Sequence, residues 1–229
     1  GRDSVLAAIR ANPANAGAML GWTPVRVGVS ADGRQGFTFG YVTLRGADGA
    51  TTPGKYLAYW VKKPEGWRAV MYKRGRASGA ASPDMLSPAL PAKALPPSDD
   101  AAAIGRLKQS LDSAERAFSR DAQTIGLEKA FVRYGSADAV NMGGPARETF
   151  VSGPDSIGVL VADGEPATGS SVSWAPDKAV IVASSGDLGV TMGMIVVNDP
   201  DSTGARASFP FTTVWRRPSA DQPWRYVAE

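Results

Sequence analysis

One unit is written twice in this chain of 229 residues, and its first copy lacks the front half. Gly153-Pro-Asp-Ser-Ile157 aligns with Gly1-Arg-Asp-Ser-Val5, and Trp174-Ala-Pro176 with Trp22-Thr-Pro24. Ser185-Gly-Asp-Leu-Gly-Val-Thr-Met-Gly193 falls on Asp32-Gly-Arg-Gln-Gly-Phe-Thr-Phe-Gly40. Val214-Trp-Arg-Arg-Pro218 matches Tyr59-Trp-Val-Lys-Lys-Pro64, and Trp224-Arg-Tyr-Val227 matches Trp67-Arg-Ala-Val70. A repeat this long means two domains rather than a solenoid of short units. The 101–152 stretch ahead of the second copy has no counterpart before Gly1. The expected organisation is therefore a truncated unit over 1–77, a linker over 78–100 and a complete unit over 101–229.

Local patterns fill in this outline. Residues 4–11 read as a short helix stopped by Asn12-Pro13. Alternating runs at 25–30, 37–44, 55–62 and 67–72 read as strands, with hairpin loops at Gly33 and at Gly46-Ala-Asp-Gly49. The proline-, alanine- and serine-rich 78–100 stretch suits an extended linker. Asp99 or Asp100 can cap a helix whose apolar stripe runs Ile104, Leu107, Leu111, Ala114, Phe118, Ala122 and Ile125, ending at Gly126. A second helix places Leu127, Phe131 and Tyr134 inward. Asp138-Ala-Val140 leads into a Gly143-Gly-Pro145 turn, and Pro154 opens a third helix. Strands are expected at 171–174, 178–184, 190–198, 209–217 and 224–228. Pro210 cannot donate to a ladder, so it marks an edge or a bulge. Helices followed by an antiparallel sheet give an α+β class.

Composition excludes several chemistries. Without cysteine or histidine there is no disulfide, thiol nucleophile, thiolate metal site or imidazole base. A net charge of +3, dispersed along the chain, makes no case for nucleic acid. The densest basic cluster, Lys73-Arg74-Gly75-Arg76, reads as a solvated tail or as a polyanion site. No run approaches the roughly 18 apolar residues of a membrane span.

The second copy resembles a known family at Trp174-Ala-Pro176, Ser185 to Gly193, and Thr213-Val-Trp-Arg-Arg217 with Trp224. Glu115-Arg-Ala-Phe118, Gly126, Ala130-Phe131 and Asp138-Ala-Val140 match its helical half. That family is the SnoaL-like, or nuclear transport factor 2-like (ketosteroid-isomerase-like), superfamily, in an uncharacterised bacterial branch. The resemblance covers nearly all of 100–229 and, for the sheet half only, 1–72. It implies two cone-shaped domains, each a strongly curved antiparallel sheet wrapped on helices, the first incomplete, with a pocket at the wide end of the cone. Fold alone does not give activity.

The resemblance brings Asp138 near the pocket mouth. There it reads either as a general base with raised pKa or as a carboxylate capping a turn. Tyr134 reads as a donor to a ligand oxygen or as an amphipathic core residue. Trp174 and Trp215, with Trp22 and Trp60, read as core or pocket wall. Met142, Met192 and Met194 line an adaptable apolar cavity or simply fill the core. With Phe118, Phe131 and Tyr134 these give the candidate ligand-binding set: Phe118, Phe131, Tyr134, Met142, Trp174, Met192, Met194 and Trp215. Arg147 reads as a carboxylate binder or a surface arginine. Asp187 reads as a turn residue, Asp155-Ser156 as a helix start, and the loop from Asp199 to Gly204 as a hairpin rather than a calcium site. No cofactor motif is present.

The expected function is a non-catalytic tandem module for protein assembly or for binding a small apolar molecule. The alternative is a small-molecule isomerase, lyase or hydrolase acting through Asp138 and Tyr134. Gly1 enters in mid-unit, so the expected coverage of the first sheet comes from an N-terminal segment or a protein partner. A signal peptide lost with that segment would make the protein periplasmic or otherwise extracytoplasmic. The first sheet carries Phe37, Phe39, Tyr41, Tyr56, Leu57, Tyr59, Trp60 and Trp67, and some of these are expected to point at the vacancy that such coverage fills.

Overall fold

The computed structural model describes residues 2–79, 84–144 and 146–229. Gly1, the 80–83 part of the linker and Pro145 of the Gly143-Gly-Pro145 turn lie outside them. The chain is α+β, with helices set against antiparallel and mixed sheet. After helix α1 (Arg2–Ala11), four strands form an antiparallel meander: β1 (Met19–Val29), β2 (Gln35–Arg45), β3 (Thr51–Lys63) and β4 (Gly66–Arg76). Helices α2 (Ala101–Ile125) and α3 (Leu127–Tyr134) follow, then β5 (Gly135–Asn141), β6 (Val151–Ser152) and α4 (Pro154–Val161). A second meander closes the chain: β7 (Val172–Val182), β8 (Leu188–Val197), β9 (Ser208–Arg216) and β10 (Arg225–Ala228). The order across this six-stranded sheet is β6-β5-β10-β9-β8-β7. No described helix is long and apolar enough to cross a membrane.

The two meanders carry the same punctuation. Trp22 lies on the first strand of one and Trp174 on the first strand of the other, while Trp60 and Trp215 lie on the third strands. The strand after each Trp-x-Pro changes register, between Pro24 and Arg26 and again between Ala175 and Ala179. There the neighbouring strand must come close. A Cβ on Gly40 would stand 2.2 Å from the Thr23 carbonyl oxygen, and one on Gly193 only 1.8 Å from that of Ala175. Only glycine fits either place. The bulge also joins the two strands expected at 171–174 and 178–184 into one, β7.

Helix α2 begins where Asp100 accepts the Ala102 and Ala103 amides at 2.9 and 3.0 Å. Asp99 instead pairs with Arg34 at 2.6 Å. The inward stripe Leu111, Glu115, Phe118 and Ala122 lies against the face of the second sheet that holds Trp215 and Tyr226.

The opposite face of that sheet meets the first sheet. Phe37, Phe39, Leu57, Tyr59 and Met71 form one buried core with Val140, Met142, Leu188, Val190, Val214 and Val227. Val190 and Met192 align with Phe37 and Phe39, so equivalent strands of the two copies face each other. Polar turns lock the contact. The Gln35 side-chain amide donates to the Val182 carbonyl at 2.7 Å, and the Tyr59 hydroxyl donates to Gln35 at 2.7 Å. Fully buried Lys55 donates to the carbonyls of Arg147 and Thr149 at 2.8 and 3.3 Å. The linker runs along the open edge of β1: the Leu86 and Ala89 amides bond to Val25 and Val27, and the Val29 amide bonds to Ala89.

This packing corrects the expectation about the first sheet. Phe37, Phe39, Leu57 and Tyr59 are covered by the second copy, not by a partner or an added segment. Strand alternation divides the first sheet's large side chains between its two faces, and the face expected to be vacant is the one the second copy fills. On the other face Trp22 and Tyr72, from the two edge strands, meet at 3.1 Å, and Tyr56 stacks on Tyr72. Tyr56 and Ala58 are buried there, while Trp22 is 52% and Trp67 42% exposed.

Candidate functional site

Between the helices and the second sheet lies a cavity of about 270 Å³. Its apolar walls come from Phe118 of α2, Leu127 and Phe131 of α3, Trp174 of β7, Ile195 of β8 and Phe211 of β9. Pro210 lies on the lining too. β10 pairs with β9 only from Val214 to Arg216, so Pro210 has a single neighbouring strand and its missing N–H breaks no ladder.

The polar lining gathers round Glu229. Its carboxylate accepts the Thr213 hydroxyl and the Asn141 side-chain amide, each at 3.3 Å. Lys73 of β4 lines the same cavity. A register shift between Tyr226 and Ala228 aims Glu229 inward: Val227 and Ala228 both enter the inter-sheet core, so the next side chain turns to the helix side. Burial lifts the Glu229 pKa to about 7, reinforced by repulsion from Glu115, with Lys73, Thr213 and Asn141 opposing.

Glu115 stands behind the wall. It is fully buried and accepts three hydrogen bonds: from Trp174 Nε1 at 2.6 Å, Trp215 Nε1 at 2.8 Å and the Thr191 hydroxyl at 2.5 Å. Burial raises its pKa to about 7 against the pull of these donors. Glu115 thereby fixes the indole of Trp174, a cavity wall, and that of Trp215 in the core. Glu165, at another part of the lining, accepts the Ser171 amide at 2.8 Å and the Ser171 hydroxyl.

The structure distributes the expected site residues widely. Phe118, Phe131 and Trp174 line the cavity. Trp215 is buried beside it through Glu115. Met142 and Met192 point the other way, into the inter-sheet core. Met194 pairs with Ala175 and Pro210 on β8 and is absent from the lining. Tyr134 stacks on Phe118 at 5.0 Å and donates to Asp121 at 3.1 Å, beside a separate surface groove.

Of the two readings of Asp138, the general base does not fit its surroundings, and its carboxylate serves an ion pair rather than a turn cap. It lies off the cavity lining, where Arg216 donates to both its oxygens at 2.9 Å, Arg26 pairs with it at 3.0 Å and Ser136 donates at 2.5 Å. Burial works to raise its pKa, but the Ser136 hydroxyl and the two guanidiniums outweigh it, and the pKa is lowered. An Asp held ionised by two arginines is a poor proton acceptor. It ties the first sheet to the second.

Sequence reasoning missed Lys73, Glu115, Asn141, Glu165, Thr213 and Glu229. Glu115 left a signal: it sits four residues after Leu111 and three before Phe118, a charged side chain on an apolar stripe. Lys73 left none, because β4 continues to Arg76 where a solvated tail was expected. Among the described residues no acidic cluster is placed to hold a metal ion. Neither a comparison with protein-family models nor a search of curated proteins found a match to the chain.

Proposed function

We propose that this chain is a small-molecule-binding module of the SnoaL-like architecture, its ligand site the cavity enclosed by α2, α3 and the second sheet. The observation that carries the reading is a mostly apolar chamber with a polar cluster of Lys73, Asn141, Thr213 and Glu229 on its lining. Ligand pockets have this character, and about 270 Å³ lies just below their usual range of roughly 300–1,000 Å³. The ligand is a compact, mostly apolar molecule with one polar end directed at Glu229 and Lys73. The first copy serves assembly: it covers the back of the second sheet and supplies Lys73. A panel of small aromatic and alicyclic alcohols and ketones, scored by thermal stabilisation, tests this. A ligand at 100 times its Kd adds about 2.7 kcal/mol of stability. Ile195→Trp fills the chamber and abolishes the gain. A panel that stabilises nothing, or stabilises the filled variant equally, overturns the reading.

A second reading, an acid–base enzyme acting on that ligand, is favoured by one observation. Glu229 lies on the cavity wall, where burial lifts its pKa to about 7, the range suited to a general base. In this reading Glu229 takes the general-base role that the alternative sequence reading gave to Asp138. Turnover of a bound ligand, lost in Glu229→Gln with binding retained, separates the two.

A further inference from the structure

We propose that Lys73 is a carbonyl-capturing amine: an aldehyde or ketone on a small apolar ligand in the cavity condenses with its Nζ to form a protonated imine. This rests on reading the cavity as a ligand site.

The placement comes from the strand register. Lys73 pairs with Leu57, a residue of the inter-sheet core, so its side chain leaves the first sheet on the face that meets the second. From there it lines the cavity among Phe211, Thr213 and Glu229. Other lysines are engaged differently. Lys55 is tied to the carbonyls of Arg147 and Thr149, and Lys178 pairs with Asp177 on the surface. Lys73 as a residue is exposed along β4, while desolvation at its amine end acts to lower the pKa and Glu229 acts to raise it. A lysine and a carboxyl group on one apolar cavity wall supply the amine and the proton carrier that imine formation needs.

The step balances without a further reagent. The Glu229 carboxylate takes a proton from the Lys73 ammonium. The free amine attacks the carbonyl carbon, forming the C–N bond while the C=O π pair moves to oxygen, which takes a proton from the new ammonium nitrogen. The Glu229 carboxyl then protonates the hydroxyl, water leaves, and the nitrogen lone pair closes the C=N bond. Lysine ammonium and carbonyl become protonated imine and water, and Glu229 ends as the carboxylate it began as. The cationic imine keeps the charge relation that Lys73 had with Glu229.

The test uses the full chain at neutral pH with one equivalent of cinnamaldehyde and sodium cyanoborohydride, followed by peptide mass mapping. Cinnamyl alcohol, nearly the same shape without the carbonyl, is titrated in parallel by tryptophan fluorescence and thermal shift. The expected result is alcohol binding together with a reduced adduct concentrated on Lys73. The adduct is lost in Lys73→Arg, which keeps the charge, and in Ile195→Trp, which closes the chamber without touching the amine. Alcohol binding with no adduct, or with adduct spread evenly over the lysines, overturns imine formation and leaves the ligand site standing. If neither compound binds and labelling is not selective, the ligand-site reading fails and this inference with it.

Discussion

Asp32, in the first turn of the first meander, accepts a hydrogen bond from the Ser184 hydroxyl in the equivalent turn of the second, at 2.6 Å. The exchange runs both ways: Asp187 accepts the Ala31 amide at 2.9 Å, and Ser185 donates to both aspartates. Burial works to raise the Asp32 pKa, but the hydroxyls of Ser184 and Ser30 and two backbone amides bring it below its ordinary value. The turns that shape each hairpin are thus also the clasp between the sheets.

That clasp makes the two aspartates energetically dependent on each other. Asp32→Ala and Asp187→Ala are each expected to cost about 1–3 kcal/mol, the penalty for stranding buried donors. Together they should cost less than the sum, because one clasp can be lost only once. Urea unfolding of the two single variants and the double gives the coupling; strict additivity would refute it.

Gly40 and Gly193 occupy equivalent bulge positions with no room for a methyl group. Gly40→Ala and Gly193→Ala are each expected to destabilise at or above the top of the overpacking range, about 3 kcal/mol. A Cβ on Gly21 would meet nothing within 4 Å, and its backbone is that of an ordinary strand residue. Gly21→Ala should therefore stay within about 0.5 kcal/mol of the parent. Equal losses at all three sites would mean that steric closeness is not what selects glycine.

The repeat and most elements were readable because they rest on local signals: the Trp-x-Pro and glycine matches between the copies, and the three-and-four spacing of α2. How the copies meet was not readable, because alternation places Phe37 and Phe39 on one face without saying which face finds a partner. The cavity was half readable. Phe118, Phe131 and Trp174 follow from the stripe and the repeat. Glu229 depends on a register shift inside β10, and Lys73 on an approach from the other sheet, neither written in any local pattern.

Asp138 should behave as a structural ion-pair residue. Its folded pKa lies below the unfolded value, so its stabilising contribution is complete above about pH 4 and fades as pH falls through the lowered value. Asp138→Asn strands two guanidiniums, with an expected cost of about 1–3 kcal/mol at pH 7 that shrinks toward pH 2. Chemical denaturation of both proteins across this range checks it, and a difference independent of pH would contradict the ion-pair assignment.

Glu115 and Glu229 should act in the opposite sense. Both have folded pKa values raised to about 7 from 4.5 by burial. Between those limits the unfolded chain releases the protons while the folded chain holds them. Stability therefore falls as pH rises from about 4.5 to about 7, and levels off above. Each unit of pKa difference is worth about 1.4 kcal/mol. Glu115→Gln keeps an acceptor for part of the Trp174, Trp215 and Thr191 cluster but removes the titration. It should flatten the slope in that window, and a double variant with Glu229→Gln should flatten it further. Lower stability of Glu115→Gln at pH 5 with convergence toward the parent near pH 8 is the expected pattern. Unfolding midpoints measured from pH 4 to pH 8 decide the matter: if parent and double variant share one slope, these two carboxylates are not the groups that titrate.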